Sequence, residues 1–160
     1  VRRLFVIVLI LLAPACGGKS TTPPASQADT CKQSDGPTSD TVRRAIASVP
    51  VEVPRSSWVE IARGHTKNCR LYWVQIIPTI ASESTPQQLL FFDHDRRLGP
   101  ATPNPKPYIT VLPGGDDTVT VQYQWRVGNE EPCCPKGIGT VKFRIGSDGK
   151  LQPLGKIPHQ

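Results

Sequence analysis

Residues 118–127 alternate without interruption, with Val119, Val121, Tyr123, Trp125 and Val127 on one side and Thr118, Thr120, Gln122, Gln124 and Arg126 on the other. Successive side chains of a strand point to opposite faces, so the pattern predicts an antiparallel strand with one face on a core and one in water. Val141, Phe143 and Ile145 alternate in the same way with Thr140, Lys142 and Arg144. Gly146, Ser147, Asp148 and Gly149 then turn the chain into a last strand near Lys150, which Pro153 marks as an edge. Residues 58–61, 71–77, 89–92 and 108–112 are further candidate strands, and the second is almost continuously apolar, as in a central strand covered on both faces. Residues 100–107 are rich in proline and read as an extended surface loop.

One helix precedes the strands. Val42, Ala45, Ile46 and Val49 fall at i, i+3, i+4 and i+7, with Ser39 as the expected N-cap, Asp40 in the first turn and Pro50 as the stop. A helix this short needs a partner surface. The expected fold is therefore α+β: a short N-terminal helix packed on one antiparallel sheet of about six or seven strands, with two disulfides. An all-β sandwich or barrel is the alternative.

The first residues read as an address. Arg2 and Arg3 precede a nine-residue apolar run, Leu4 through Leu12, and the small residues Ala13, Pro14 and Ala15 lead to Cys16. Such a run forms a helix of roughly 14 Å, about half of a hydrocarbon core, which suits export better than permanent spanning. A cysteine directly after small residues at the end of an apolar run resembles a bacterial lipobox. That resemblance implies S-diacylglycerol and N-palmitoyl groups on Cys16, with cleavage before it. Ala13 stands where a Leu-type residue is preferred, and Ala13-Pro14-Ala15 also fits an ordinary signal-peptidase site that would release a soluble protein. The organisation expected is an export signal at 1–15, a lipidated cysteine with a small, polar, proline-bearing tether at 16–36, and one globular domain at 37–160.

From Cys16 onward the chain has 17 basic and 13 acidic residues, and the basic residues nowhere form a stripe. Nucleic acid is therefore not an expected partner. The expected partner is a membrane, reached through the lipid anchor on the extracytoplasmic face, with a lipid or cell-wall component as a further ligand. Oligomeric state is left open.

Setting Cys16 aside leaves Cys31, Cys69, Cys133 and Cys134, an even set in an exported chain and hence a disulfide framework. Neighbours in an extended segment point apart, so Cys133 and Cys134 are expected to bond to different partners. The favoured pairing is Cys69 with Cys134 and Cys31 with Cys133, and the other connectivities stay open. The functional alternatives for Cys133-Cys134 are a metal site or a redox pair, but neither a CxxC motif nor a tetrahedral Cys/His spacing is present, so structural bridges are favoured and no metal and no cofactor are expected. Asp93-His94-Asp95 and Asp116-Asp117 read as turn residues, with cation binding as the alternative for the first. His65 and His159 have no motif of a catalytic site around them, so no enzymatic activity and no catalytic residue are expected; a hydrolase is the weakest alternative. Trp58, Tyr72, Trp73, Phe91, Phe92, Tyr108, Tyr123, Trp125 and Phe143 fall on expected strands and read as core, or else as the walls of an apolar cavity for a carried lipid.

Several segments together resemble the LppP/LprE lipoprotein family of actinobacteria: the lipobox-like start, residues 58–64, Cys69-Arg70-Leu71-Tyr72-Trp73, and Leu89-Leu90-Phe91-Phe92-Asp93 followed by Leu98-Gly99. Tyr123-Gln124-Trp125 and the loop Cys133-Cys134-Pro135-Lys136-Gly137 complete the set, which spans essentially the whole exported domain. The resemblance implies an envelope lipoprotein with no established biochemical activity, and it supplies no catalytic motif.

Overall fold

The computed structural model describes residues 31–158. The expected export signal at 1–15, Cys16, the expected tether up to residue 30, and His159 lie outside the described residues. Among the described residues, a 3-10 turn at Gln33–Asp35 is followed by one helix, α1 (Ser39–Ala47), and eight strands. The first four are β1 (Trp58–His65), β2 (Leu71–Pro78), β3 (Gln88–Asp93) and β4 (Arg96–Pro100). The second four are β5 (Ile109–Val111), β6 (Val119–Trp125), β7 (Gly137–Ile145) and β8 (Leu151–Leu154). Each set of four is its own antiparallel sheet with neighbours in chain order, β1-β2-β3-β4 and β5-β6-β7-β8. Among the described residues no helix is long and apolar enough to cross a membrane.

The expectation of a single sheet of six or seven strands is corrected by this division into two. Its reason lies in what each face must bury. Leu71, Leu89 and Phe91 turn to the second sheet and meet Val119, Val121, Tyr123, Val141 and Phe143 in one core. Their neighbours Tyr72, Val74, Ile76, Leu90 and Phe92 turn the other way and meet Val42 and Ala45 of α1, with Ile46 and Val49 packed alongside. The first sheet is thus the middle of three layers, which is why β2 and β3 are apolar on both faces. A nine-residue helix is only about 14 Å long. It cannot cover eight strands spaced about 4.8 Å apart, so β5–β8 fold over to close the other face.

Local chemistry sets the joints. Thr38, not Ser39, caps α1: its Oγ1 accepts from the Thr41 N–H at 3.3 Å. The Thr38 N–H in turn donates to Asp95 Oδ1 at 2.7 Å, a bond that holds the Asp95 carboxyl below the usual carboxylate range. At the other end of the helix, Trp58 Nε1 donates to the carbonyls of Val49 and Pro50 at 3.2 and 3.1 Å, pinning the chain to β1. The proline-rich loop is less superficial than expected. Ala101 and Thr102 are buried at its start, where Gln88 Nε2 donates to the Thr102 carbonyl at 3.0 Å.

The two sheets are tied at one end by charge. Asp93 is 11% exposed and accepts from Arg70 Nε at 3.3 Å and from Arg96 Nη2 at 2.7 Å. Arg96 Nη2 also donates to the carbonyl of Gly149, in the turn between β7 and β8. Desolvation raises the Asp93 pKa, but the two guanidinium bonds and their charge outweigh it and hold the carboxyl below its ordinary value. A carboxylate whose folded pKa is depressed stabilises the fold above its unfolded pKa of about 4, and that contribution is lost as pH falls through the lower folded value. Both arginines are more than half exposed, so screening limits the gain. Asp93→Asn is expected to cost about 1 kcal/mol at pH 7. Urea midpoints at pH 7 and pH 3 check this: the gap to wild type should close at the lower pH, and a constant gap contradicts it.

Candidate functional site

Residues 31–37 form a strap laid across one end of the first sheet, from the β1–β2 turn at Cys69, over Tyr72, to the β3–β4 turn at His94. Cys31 is bonded to Cys69, with Cα atoms 5.4 Å apart, and this fastens the strap to the turn between β1 and β2. The turn is itself rigid: Thr66 is fully buried, its Oγ1 accepts from the Leu71 N–H at 3.1 Å, and the Cys69 N–H donates to the Thr66 carbonyl at 3.0 Å. Gly36 is the close approach. A Cβ there would sit 2.8 Å from Tyr72 Cε1, so only a hydrogen lets the strap lie on the Tyr72 ring. Residues 31–36, expected to belong to a tether at 16–36, are part of the folded body. Their polar composition looks like a linker, but the disulfide and the missing side chain at Gly36 dock them.

Between strap and sheet lies a cleft of about 390 Å³. Cys31, Lys32, Gln33, Gly36 and Pro37 form one wall, and Arg63, Gly64, His65, Tyr72, Trp73 and Val74 the other. Gly64 pairs with Trp73 across β1 and β2, and a Cβ on Gly64 would meet the Trp73 indole at 2.7 Å. The indole therefore lies across a strand position that carries no side chain. Arg63 is oriented by two bonds to the Glu60 carboxylate, which raise its pKa against the lowering effect of burial. His65 Nδ1 is 3.0 Å from the Thr66 carbonyl, and its ring packs 5.4 Å from that of Tyr72. The cleft thus combines aromatic walls with the Lys32 ammonium and the Glu60-paired Arg63 guanidinium.

Gly36→Val is expected to lift the strap from Tyr72 and lower stability by about 1–3 kcal/mol. Thermal unfolding, with the Cys31–Cys69 bond confirmed by peptide mapping, measures this. An unchanged melting temperature would contradict the close approach.

The cysteine pairing departs from the expected one. Cys69 is bonded to Cys31 and not to Cys134, and Cys133 is bonded to Cys134 and not to Cys31. The expectation assumed an extended segment at Cys133-Cys134, whereas the chain bends there: the Cys134 N–H donates to the Glu131 carbonyl at 3.0 Å, closing a turn. Cys16 lies outside the described residues.

Asp93, His94 and Asp95 form the turn between β3 and β4, and each is engaged separately. Asp93 holds the two arginines, His94 Nδ1 lies 3.0 Å from the Asp35 carbonyl, and Asp95 binds the Thr38 N–H. Among the described residues no group of three or more His, Cys, Asp or Glu side chains could hold a metal ion. Asp116 serves a turn, its carbonyl accepting from the Asn68 N–H at 2.9 Å. Of the nine aromatics, Trp58, Tyr72, Phe91, Phe92, Tyr123 and Phe143 are buried, and Trp73, Tyr108 and Trp125 are half-buried. The second core cluster packs between α1 and the sheet, and beside it a groove of about 330 Å³ lies between Ser39, Val42, Arg43 and Ile46 of α1 and Trp58, Glu60 and Arg63 of β1.

Of the cleft residues, the sequence marks Cys31, His65, Tyr72 and Trp73, whereas Lys32, Gln33, Gly36, Pro37, Arg63 and Val74 carry no site pattern of their own. A signal was present in Gly64, since a lone glycine inside a strand marks a close approach.

Fold and cleft together define a small disulfide-bonded α+β domain of three layers. The chain belongs to the LppP/LprE lipoprotein family, whose profile matches residues 63–148. It is 70% identical over 148 residues to the proteins named LppP in Mycobacterium bovis and in two strains of Mycobacterium tuberculosis, covering 92% of this chain and 85% of theirs. No solved structure matches it. Membership in a lipoprotein family whose molecular activity is not established implies attachment to a membrane by lipid.

Proposed function

We propose that this protein is held on the extracytoplasmic face of the cell membrane by acyl groups on Cys16 and that its domain is a non-enzymatic binding module. The observation that supports a binding role is the cleft under residues 31–37. Its volume of about 390 Å³ falls within the range of small-ligand sites. Tyr72 and Trp73 supply apolar area, while the Lys32 ammonium suits a ligand with an anionic group. Arg63 is already held by Glu60 and His65 by the Thr66 carbonyl, which favours holding a ligand over turning one over. The chain between Cys16 and Cys31 can span at most about 50 Å, so the cleft stays within that distance of the bilayer.

Pro37, Tyr72, Trp73 and Val74 also favour a second reading, in which the occupant is an apolar envelope lipid and the protein is its carrier. Native mass spectrometry of protein extracted from its own membranes tests both. A retained small molecule that is lost from Trp73→Ala is the expected result, and a retained lipid selects the carrier reading. Recovery of the wild type with an empty cleft would remove the cleft as a binding site, and turnover of generic ester or peptide substrates would remove the non-enzymatic reading.

A further inference from the structure

We propose that the Cys133–Cys134 bond is a thiol–disulfide exchange site, reduced and reformed on the folded protein, whereas Cys31–Cys69 is a permanent staple. The two bonds differ in what they do for the fold. Cys31–Cys69 joins residues 38 apart and restrains a large part of the unfolded chain. Cys133–Cys134 joins sequence neighbours. The stabilisation from a cross-link grows with the length of the loop it closes, so a bond between neighbours restrains almost none of the unfolded chain's freedom.

Nor does the loop need that bond for its shape. The Tyr108 hydroxyl donates to the Pro132 carbonyl at 2.5 Å, and the Cys134 N–H donates to the Glu131 carbonyl at 3.0 Å. The Glu130 carboxylate accepts from the N–H groups of Val127 and Gly128 at 2.8 and 3.0 Å. Both cysteines are exposed, so an attacking thiolate can reach either sulfur. Exposed disulfides that do not support a fold are the labile ones.

The co-reactant is a dithiol. One of its thiolates attacks Sγ of Cys133 or Cys134, the S–S bond breaks as a mixed disulfide forms, and the released cysteine sulfur takes up a proton. The second thiol of the reductant then displaces the remaining cysteine, which is also protonated. Two electrons and two protons pass to the protein, and the dithiol leaves as a cyclic disulfide. An oxidised dithiol runs the sequence backward.

Graded dithiothreitol treatment of the folded full chain without denaturant, followed by iodoacetamide trapping and peptide mapping, tests the proposal. Cys133 and Cys134 should be alkylated at dithiol concentrations at least about tenfold below those that open Cys31–Cys69. The thermal midpoint of the selectively reduced protein should match that of the oxidised protein. Cys133→Ser/Cys134→Ser should unfold at the wild-type temperature and lose the early alkylation. Opening of both disulfides at one dithiol concentration, resistance of Cys133–Cys134 until the protein unfolds, or a lowered thermal midpoint in the double variant would overturn it.

Discussion

Phe91→Ala should be the most damaging single truncation in the domain, lowering the unfolding free energy by about 3–5 kcal/mol. Phe91 is fully buried in β3, an interior strand of the middle layer, and it faces the second sheet. Its ring lies 5.1 Å from that of Phe143 on β7, so the pair joins the two sheets near the centre of the sandwich. In strand pairing it stands opposite Trp73 on one side and Gly99 on the other. Removing the ring leaves a cavity lined by two sheets, and hydrogen-bonded strands cannot collapse into it as loose loops could. Ile138→Ala, on the outer face of β7 where the side chain is 58% exposed, should stay within about 0.5 kcal/mol of wild type. Urea midpoints of the two variants measure the contrast. Equal losses would mean that the two sheets do not share the core described.

Cys31→Ser/Cys69→Ser is the second large effect. Closing a loop of this length is worth at most about 4 kcal/mol in the chain-entropy treatment. The variant should therefore lose about 2–4 kcal/mol, which for a domain of this size lowers the melting temperature by roughly 10 °C. The loss should be accompanied by detachment of the strap, because Cys31 is the covalent hold on residues 31–37 over Tyr72. Near-ultraviolet circular dichroism of Tyr72 and Trp73 would report that detachment. A melting temperature within about 2 °C of wild type would show that the strap is held by packing alone.

The sequence announced its strands unevenly, for physical reasons. Residues 119–125 and 140–145 lie in β6 and β7, which bury one face and therefore alternate; Val127, expected on the core face, lies beyond the end of β6 and is 69% exposed. β2 and β3 are covered by the helix on one side and by β5–β8 on the other, so their continuous apolarity signals burial but not by what. That ambiguity is where the single-sheet expectation arose. β4 gave no signal, because Arg96, Arg97, Leu98, Gly99 and Pro100 form an edge strand created by the turn at Asp93-His94-Asp95 and not by any pattern of their own. The helix face was legible from its i, i+3, i+4, i+7 spacing, and its cap was displaced by one residue because Thr38, Ser39 and Thr41 offer similar hydroxyls.

The site was harder to read. A cleft formed between a strap and the end of a sheet depends on where residues 31–37 dock, and nothing local in Lys32-Gln33-Ser34-Asp35 marks docking. Cysteine pairing carries the same difficulty, since which sulfurs meet is decided by the path of the strap and by the bend at Glu131, both of them tertiary facts.

Anchoring is the claim on which the functional account stands, and the covalent state of one sulfur decides it. Intact mass spectrometry of the protein taken from the membranes of its own cells reads that state directly. The expected species starts at Cys16, carries a diacylglycerol and an amide-linked acyl chain there, and has its four other cysteines oxidised in pairs. An unacylated chain recovered from the culture fluid, with a free thiol at Cys16, would contradict the account.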